Sequence, residues 1–274
     1  MRDVRFAINH MTAPRLRWDE LITLARDLGC VGVEFRNDLG RPLFDGDPPE
    51  TVADRVRQMG LRIVGLSQVY PFNDWSEAVR AEVAALIESA VACGAETISL
   101  IPRNDGKGMG EGERQANLRL ALREIKPMLE KADMVALVEP LGFESSSLRS
   151  KAETVAAIES LGAAHCFRLV HDTFHHHLAG GGPCFPERTG IVHVSGVIDP
   201  SLAVSEMRDE HRILVDADDR LGNVEQIDRL LDAGYAGPIS FEAFSPEVHA
   251  LSDPTGALGE SMRFIKARIG QVTA

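Results

Sequence analysis

About eight short apolar runs alternate with longer segments of helical periodicity along the 274 residues, and this alternation restricts the fold more than any other feature. An amphipathic helix repeats its apolar residues every three or four positions, whereas a strand buried on both faces reads as a short unbroken apolar run. Runs of the second kind lie at 4–8, 31–35, 61–66, 97–101, 136–138, 167–170, 191–194 and 239–241. Helices are expected between them at 17–28, 49–59, 75–93, 113–131, 151–161, 175–179, 224–233 and 256–269. In the first of these, Leu21, Ile22, Leu24, Ala25 and Leu28 share one face. Gly29, Gly60, Gly94, Gly162 and Gly234 follow helix ends, where a residue free to adopt positive φ stops the helix.

Eight strand–helix units with no Pro-, Gly- or Ser-rich linker between halves predict a single α/β domain over 1–274, a (β/α)8 TIM barrel. The rival is an open doubly wound sheet, which often carries a Gly-rich phosphate loop after its first strand. Here that stretch reads Asn-His-Met-Thr-Ala-Pro, which is not such a loop.

With 44% hydrophobic residues the chain can build a core without cross-links. Cys30, Cys93, Cys166 and Cys184 show no Cys-x-x-Cys pairing and read as reduced thiols of a cytoplasmic protein. Arg2, Asp3 and Arg5 interrupt the first residues, so no signal peptide is expected. No run approaches the roughly 18 apolar residues of a membrane span, so no membrane partner is expected either. Against 29 basic residues stand 41 acidic ones, for a net charge of −12, and no Lys/Arg cluster offsets it. Such a surface repels phosphates, which excludes nucleic acid as a partner and favours a small molecule gripped by a few well-placed groups. The oligomeric state is left open; a homo-oligomer is compatible with the sequence.

A TIM barrel carries its active site at the C-terminal ends of its strands. Strand five ends at Glu139, strand six at Asp172, strand seven runs through His193, and strand eight ends at Glu242. Adjacent strands lie about 4.8 Å apart, so these four side chains can converge. One acidic strand end is ordinarily a loop contact or a helix cap; four donors on consecutive strands are hard to obtain by accident. Three carboxylates together repel one another, and a divalent cation relieves the repulsion. Mixed oxygen and nitrogen ligation suits Mn²⁺, Mg²⁺, Co²⁺ or Zn²⁺. His175 follows Asp172 closely enough to face the barrel mouth, while His176 and His177 read as structural or as lying behind the site. The loop at 195–223 carries Asp209, His211, Arg212 and Asp216, of which Arg212 is suited to a substrate oxygen or is an ordinary surface arginine. Glu34, Arg36 and Gln68 stand at the same level and are expected to form an internal salt bridge or polar packing at the rim.

Val-Glu-Pro-Leu-Gly (138–142), His-Asp-Thr-Phe-His (171–175), Val-His-Val (192–194), His-Arg (211–212) and Ser-Phe-Glu-Ala-Phe-Ser-Pro-Glu (240–247) occur in this order. On these segments the chain resembles the xylose-isomerase-like TIM-barrel superfamily over essentially its whole length, and within it the 2-keto-myo-inositol (inosose) isomerases most. The resemblance implies one divalent metal held by Glu139, Asp172, His193 and Glu242, with His175 and Arg212 contacting substrate. It implies isomerisation or epimerisation of a small polyhydroxy ketone through a metal-stabilised cis-enediolate, Glu139 and Glu242 being the acid/base pair. An inosose dehydratase or a hydroxypyruvate isomerase would use the same metal site, and an inactive sugar-binding relative would have no need of it. A phosphodiesterase like endonuclease IV shares the Asp209-x-His211 pair but needs histidines at the ends of strands three and four, where this chain has Ser-Gln-Val (67–69) and Ile-Pro-Arg (101–103).

Overall fold

The apolar runs become strands because each finds a parallel neighbour for its backbone groups on either side. In the computed structural model, which describes residues 4–271, β1 (Phe6–Asn9), β2 (Gly32–Arg36), β3 (Arg62–Val69), β4 (Thr97–Leu100), β5 (Val135–Val138), β6 (Phe167–Asp172), β7 (Thr189–Val194) and β8 (Ile239–Phe241) form a closed parallel barrel in chain order. Pairing of Ile8 with Phe241 closes it. Around it lie α1 (Trp18–Asp27), α2 (Pro49–Gln58), α3 (Glu77–Cys93), α4 (Glu111–Ala132), α5 (Lys151–Ser160), α6 (Thr173–Leu178), α7 (Asn223–Asp232), α8 (Pro246–His249) and α9 (Pro254–Arg268). The expected single-domain (β/α)8 barrel is the one observed.

Side chains on a strand alternate between its two faces. The outward residues meet the helices in one continuous core that includes Ile8, Phe35, Leu66, Leu100, Val138, Val192 and Phe241. The inward residues Ala7, Val64, Leu137, Val170 and Ile191 form a small separate cluster inside the barrel. Two residues further along the same inward rows come Glu139, Asp172 and His193. The apolar plug thus ends where the polar residues begin.

Several strands run past the apolar signal. β6 continues through His171 and Asp172 because these pair with Val192 and His193 of β7, and the ladder rewards the polar pair as well as an apolar one. β3 extends to Val69 for the same reason, pairing with Leu100. The loop expected at 195–223 is tied down rather than open. Gly196 bridges Ile213, and Val197, Met207 and Leu221 pack on Phe174. Among the described residues no helix is long and apolar enough to cross a membrane, and the four cysteines are free and buried.

His10, just beyond β1, is buried, with its Nε2 2.9 Å from the Leu16 carbonyl. Burial pushes its imidazole down to about 4, and Arg41 adds to this against the hydrogen bond to Leu16. The unfolded chain therefore takes up a proton near pH 6.5 that the native chain refuses until about pH 4, so stability falls as the pH drops through that window. Between pH 6.5 and 4.5 the loss from this one group is about 2 kcal/mol. Urea melts at the two pH values should show His10→Gln losing less than the parent by about that amount; equal losses would rule out the assignment.

Candidate metal centre

Glu139, Asp172, His193 and Glu242 each offer a ligand atom at the C-terminal mouth of the barrel, all within 4.8 Å of one another and all buried. Asp172 and His193 are register partners across β6 and β7. Glu139 and Glu242 sit one residue beyond β5 and β8 and prolong those ladders, their N–H groups donating to Leu100 and Val194. The four residues named from strand ends are therefore brought together. Asp172 also performs the ordinary duty of a strand-end acid, since its Oδ1 accepts from the His175 N–H at 2.8 Å and caps α6.

The donor set suits a divalent cation on three grounds. His193 Nδ1 is buried and makes no aligned hydrogen bond, although Glu242 Oε2 lies 3.2 Å away. Its Nε2 lies 3.1 Å from Glu34 Oε2. Burial disfavours the His193 imidazolium, but Glu242, Glu34 and Glu139 outweigh it and raise its pKa, so a cation entering here would replace the Nδ1 proton. With the remaining proton on Nε2, donated to Glu34, that lone pair would face the cluster, as the carboxylate partner of a metal-binding histidine arranges. Finally, four buried carboxylates (Glu34, Glu139, Asp172 and Glu242) stand against two buried guanidiniums (Arg36 and Arg212), an excess that one dication would neutralise.

The two arginines hold the carboxylates in place. Arg36 Nη1 donates to Glu242 Oε1 at 2.8 Å, and its Nη2 donates to Asp38 Oδ2 at 2.7 Å. Arg212 Nη2 donates to Asp172 Oδ2 at 2.6 Å and to Glu242 Oε2 at 3.0 Å, while its Nε donates to Ser195 Oγ at 2.9 Å. Its guanidinium also lies over the rings of Phe244 and Phe174, at 4.5 and 5.0 Å from their centroids. Burial pushes the Glu242 carboxyl up, but His193, Arg212 and Arg36 outweigh it and hold it far below the usual carboxylate range. Burial likewise raises Glu139, and Glu242 and Asp172 add to this against the pull of His193. Two neighbouring carboxyls are thus driven in opposite directions.

His175 enters the same space, with Nε2 4.0 Å from Glu139 Oε1. Its Nδ1 accepts from the Gly142 N–H at 3.2 Å, which places its proton on Nε2. Gly142 is required there because any side chain would run into the His175 carbonyl and Leu178. His176 and His177 do not join the cluster; His176 faces Lys151 instead. Asp209 Oδ1 accepts from Arg212 Nη1 at 3.1 Å, whereas His211 turns to the Arg208 N–H. Gln68 Nε2 donates to Asp38 Oδ2 at 2.9 Å, the polar rim packing expected of it.

Glu34, expected to form a salt bridge or polar packing at the rim, stands behind His193 instead. The usable signal was its strand: an acid inside Gly-Val-Glu-Phe, on the inward row of β2, must have a buried partner.

Residues 22–268 match the family model described as xylose isomerase-like TIM barrel. No curated protein matches the chain significantly. Among solved structures, a xylose isomerase domain-containing protein from Salmonella typhimurium LT2 is 31% identical, with a TM-score of 0.88, over 97% of this chain and 99% of that one. The IolI protein with a bound zinc atom is 16% identical, with a TM-score of 0.83, over 98% of this chain and 100% of that one. D-allulose 3-epimerase from Methylomonas sp., in complex with D-allulose, is 17% identical, with a TM-score of 0.70, over 98% of each chain. The last two likenesses concern the fold.

Proposed function

The chain belongs to the xylose isomerase-like TIM-barrel family, and on that premise we propose that it is a divalent-metal-dependent isomerase or epimerase of a small polyhydroxy ketone, a keto-inositol or a ketose. The observation that carries this reading is the buried convergence of Glu139, Asp172, His193 and Glu242. These four residues would hold the metal, and Glu139 and Glu242 would also handle the substrate proton. The zinc bound by the IolI protein and the D-allulose bound by the Methylomonas epimerase lend the proposal support from structures of the same fold. Four free, buried thiols suit a cytoplasmic setting.

When bound, a divalent cation here would supply Lewis-acid stabilisation of the negative charge that develops on an α-hydroxyketone as its α-proton leaves. The remaining work falls to side chains. One of the two carboxylates takes the proton from the carbon next to the carbonyl. Return of the proton to the neighbouring carbon, as the hydroxyl proton passes to the former carbonyl oxygen, moves the carbonyl, and return from the opposite face inverts the centre. Arg36 and Arg212 keep both Glu242 oxygens fixed, so that carboxylate stays ionised. His175 directs an N–H toward Glu139 and, with Arg212, would meet substrate oxygens. Burial of every member keeps bulk water away from the reacting carbon, while the abstracted proton, held on a carboxyl oxygen, exchanges with solvent before it is returned.

The test is an assay of keto-inositols, ketohexoses and hydroxypyruvate in deuterium oxide with added Mn²⁺. Turnover of one of them with deuterium at the α-carbon supports the proposal. Loss of water from an inosose without carbonyl migration would replace it with a dehydratase, and no turnover beside tight sugar binding would replace it with a sensor.

Glu34 is assigned the positioning of His193. Glu34→Gln leaves a neutral amide opposite Nε2 and is expected to weaken metal binding roughly 10–100-fold. Calorimetric titration with Mn²⁺ measures this, and an unchanged dissociation constant would remove Glu34 from the site.

A further inference from the structure

Asp172 faces the barrel mouth, but its neighbour His171, on the same strand, faces outward into the layer beneath α5 and α6. There it meets Lys151, the first residue of α5, His176 of α6, and Cys184 in the loop beyond α6. All four are buried. Lys151 Nζ lies 2.7 Å from His171 Nδ1 and 2.9 Å from His176 Nδ1, so the polar partners of this buried cation are imidazole nitrogens rather than a carboxylate. His176 Nε2 lies 4.0 Å from Cys184 Sγ. His171, His176 and Cys184 each present one ligand atom within 4.8 Å of the others.

The protonation pattern follows from Gln226 on α7. Its Nε2 donates to the carbonyls of Thr173 and Leu221, at 3.1 and 2.9 Å. Its Oε1 is therefore left to accept from His171 Nε2, at 2.9 Å. That places the His171 proton on Nε2 and turns the Nδ1 lone pair inward, the same service that Glu34 performs for His193. Two imidazoles and a thiol converging on one buried point make a donor set unlike the carboxylate-rich mouth. Carboxylate oxygens suit Mg²⁺ and Mn²⁺, whereas thiolate with imidazole selects zinc and similar ions.

We propose that His171, His176 and Cys184 form a second, soft metal site for a zinc-like ion, separate from the barrel mouth, with the Lys151 amine beside it. A cavity of about 160 Å³ lined by Lys151, His176, Gly181 and Pro183, among others, gives the ion a way in. Gly180, Gly181 and Gly182 all adopt positive φ and carry the chain around to return Cys184 to His176. The charge balances. A dication with one thiolate carries a single net positive charge, the same as the ammonium now between the histidines. Two protons leave on binding, one from the Cys184 thiol as the sulfur–metal bond forms and one from the Lys151 ammonium, whose neutral amine remains as the fourth donor.

This inference does not depend on the activity proposed for the mouth, and Co²⁺ separates the two sites. A thiolate bound to cobalt gives an intense charge-transfer absorption in the near ultraviolet, which a site of carboxylates and imidazole cannot give. The full chain, stripped with chelator and titrated with Co²⁺, is expected to bind two ions and develop this band. The Glu139→Gln/Glu242→Gln variant should keep the band, and Cys184→Ser should abolish it and bind one ion, with an unchanged circular dichroism spectrum. His176→Ala should weaken the cobalt affinity behind the band at least tenfold. A folded parent protein with no thiolate band, or a band that survives in Cys184→Ser, would overturn the proposal.

Discussion

Glu242→Gln is expected to stop exchange of the substrate α-proton with solvent deuterium and to lower turnover by roughly 10²–10⁴-fold, the usual contribution of a positioned general base. The substitution preserves size but removes the charge that Arg36 and Arg212 now grip from both sides. An amide also presents N–H where one of these guanidiniums donates, so a charge-assisted pair becomes a donor facing a donor. The measurement is mass or proton resonance analysis of substrate recovered from deuterium oxide, at a metal concentration that saturates the variant. Because Glu242 is also assigned to the metal, bound metal per chain is determined on the same samples. A metal-loaded variant that exchanges at the parent rate would exclude Glu242 as the base.

Removing the metal is expected to have a comparable effect by a different route. Without a dication the mouth holds four carboxylates against two guanidiniums and the His193 imidazolium, and nothing polarises the carbonyl. Chelation should eliminate turnover, and Mn²⁺ or Co²⁺ added back in equal amount should restore it. Stability should follow. An ion present at a hundred times its dissociation constant stabilises the native state by about 2.7 kcal/mol, which for a domain of this size raises the melting temperature by roughly 5 °C. Running both measurements on Cys184→Ser confines them to the mouth. Full activity in a preparation stripped of metal would end the metal-dependent reading.

Much of this was legible in the chain. Glu139, Asp172, His193 and Glu242 stand at or near strand ends in the sequence, and the structure gathers all four. The strand limits were less legible, because an apolar run shows where a strand is buried and not where its ladder stops. β6 goes on through Asp172 only because β7 offers partners. Arg212, read as a substrate contact or a surface residue, is buried and bound to Asp172 and Glu242. Its loop position gave no sign of this, since Val197, Met207 and Leu221 fold the loop inward through contacts with Phe174.

What the sequence determined by itself is the barrel and the four polar side chains, Glu139, Asp172, His193 and Glu242, at its mouth. Strand direction and the two-residue alternation of side chains are local properties repeated in each strand–helix unit, and glycine stops follow many of the helices. Only the tertiary structure decided the partners of those side chains. Glu34 reaches His193 across 159 positions of sequence and Arg36 reaches Glu242 across 206, while Gln226 fixes the proton of His171 from 55 positions away. Such pairings depend on the register between strands and on β1 meeting β8. Closure of the barrel is a single event involving all eight strands, and no local pattern encodes which side chains it will bring face to face.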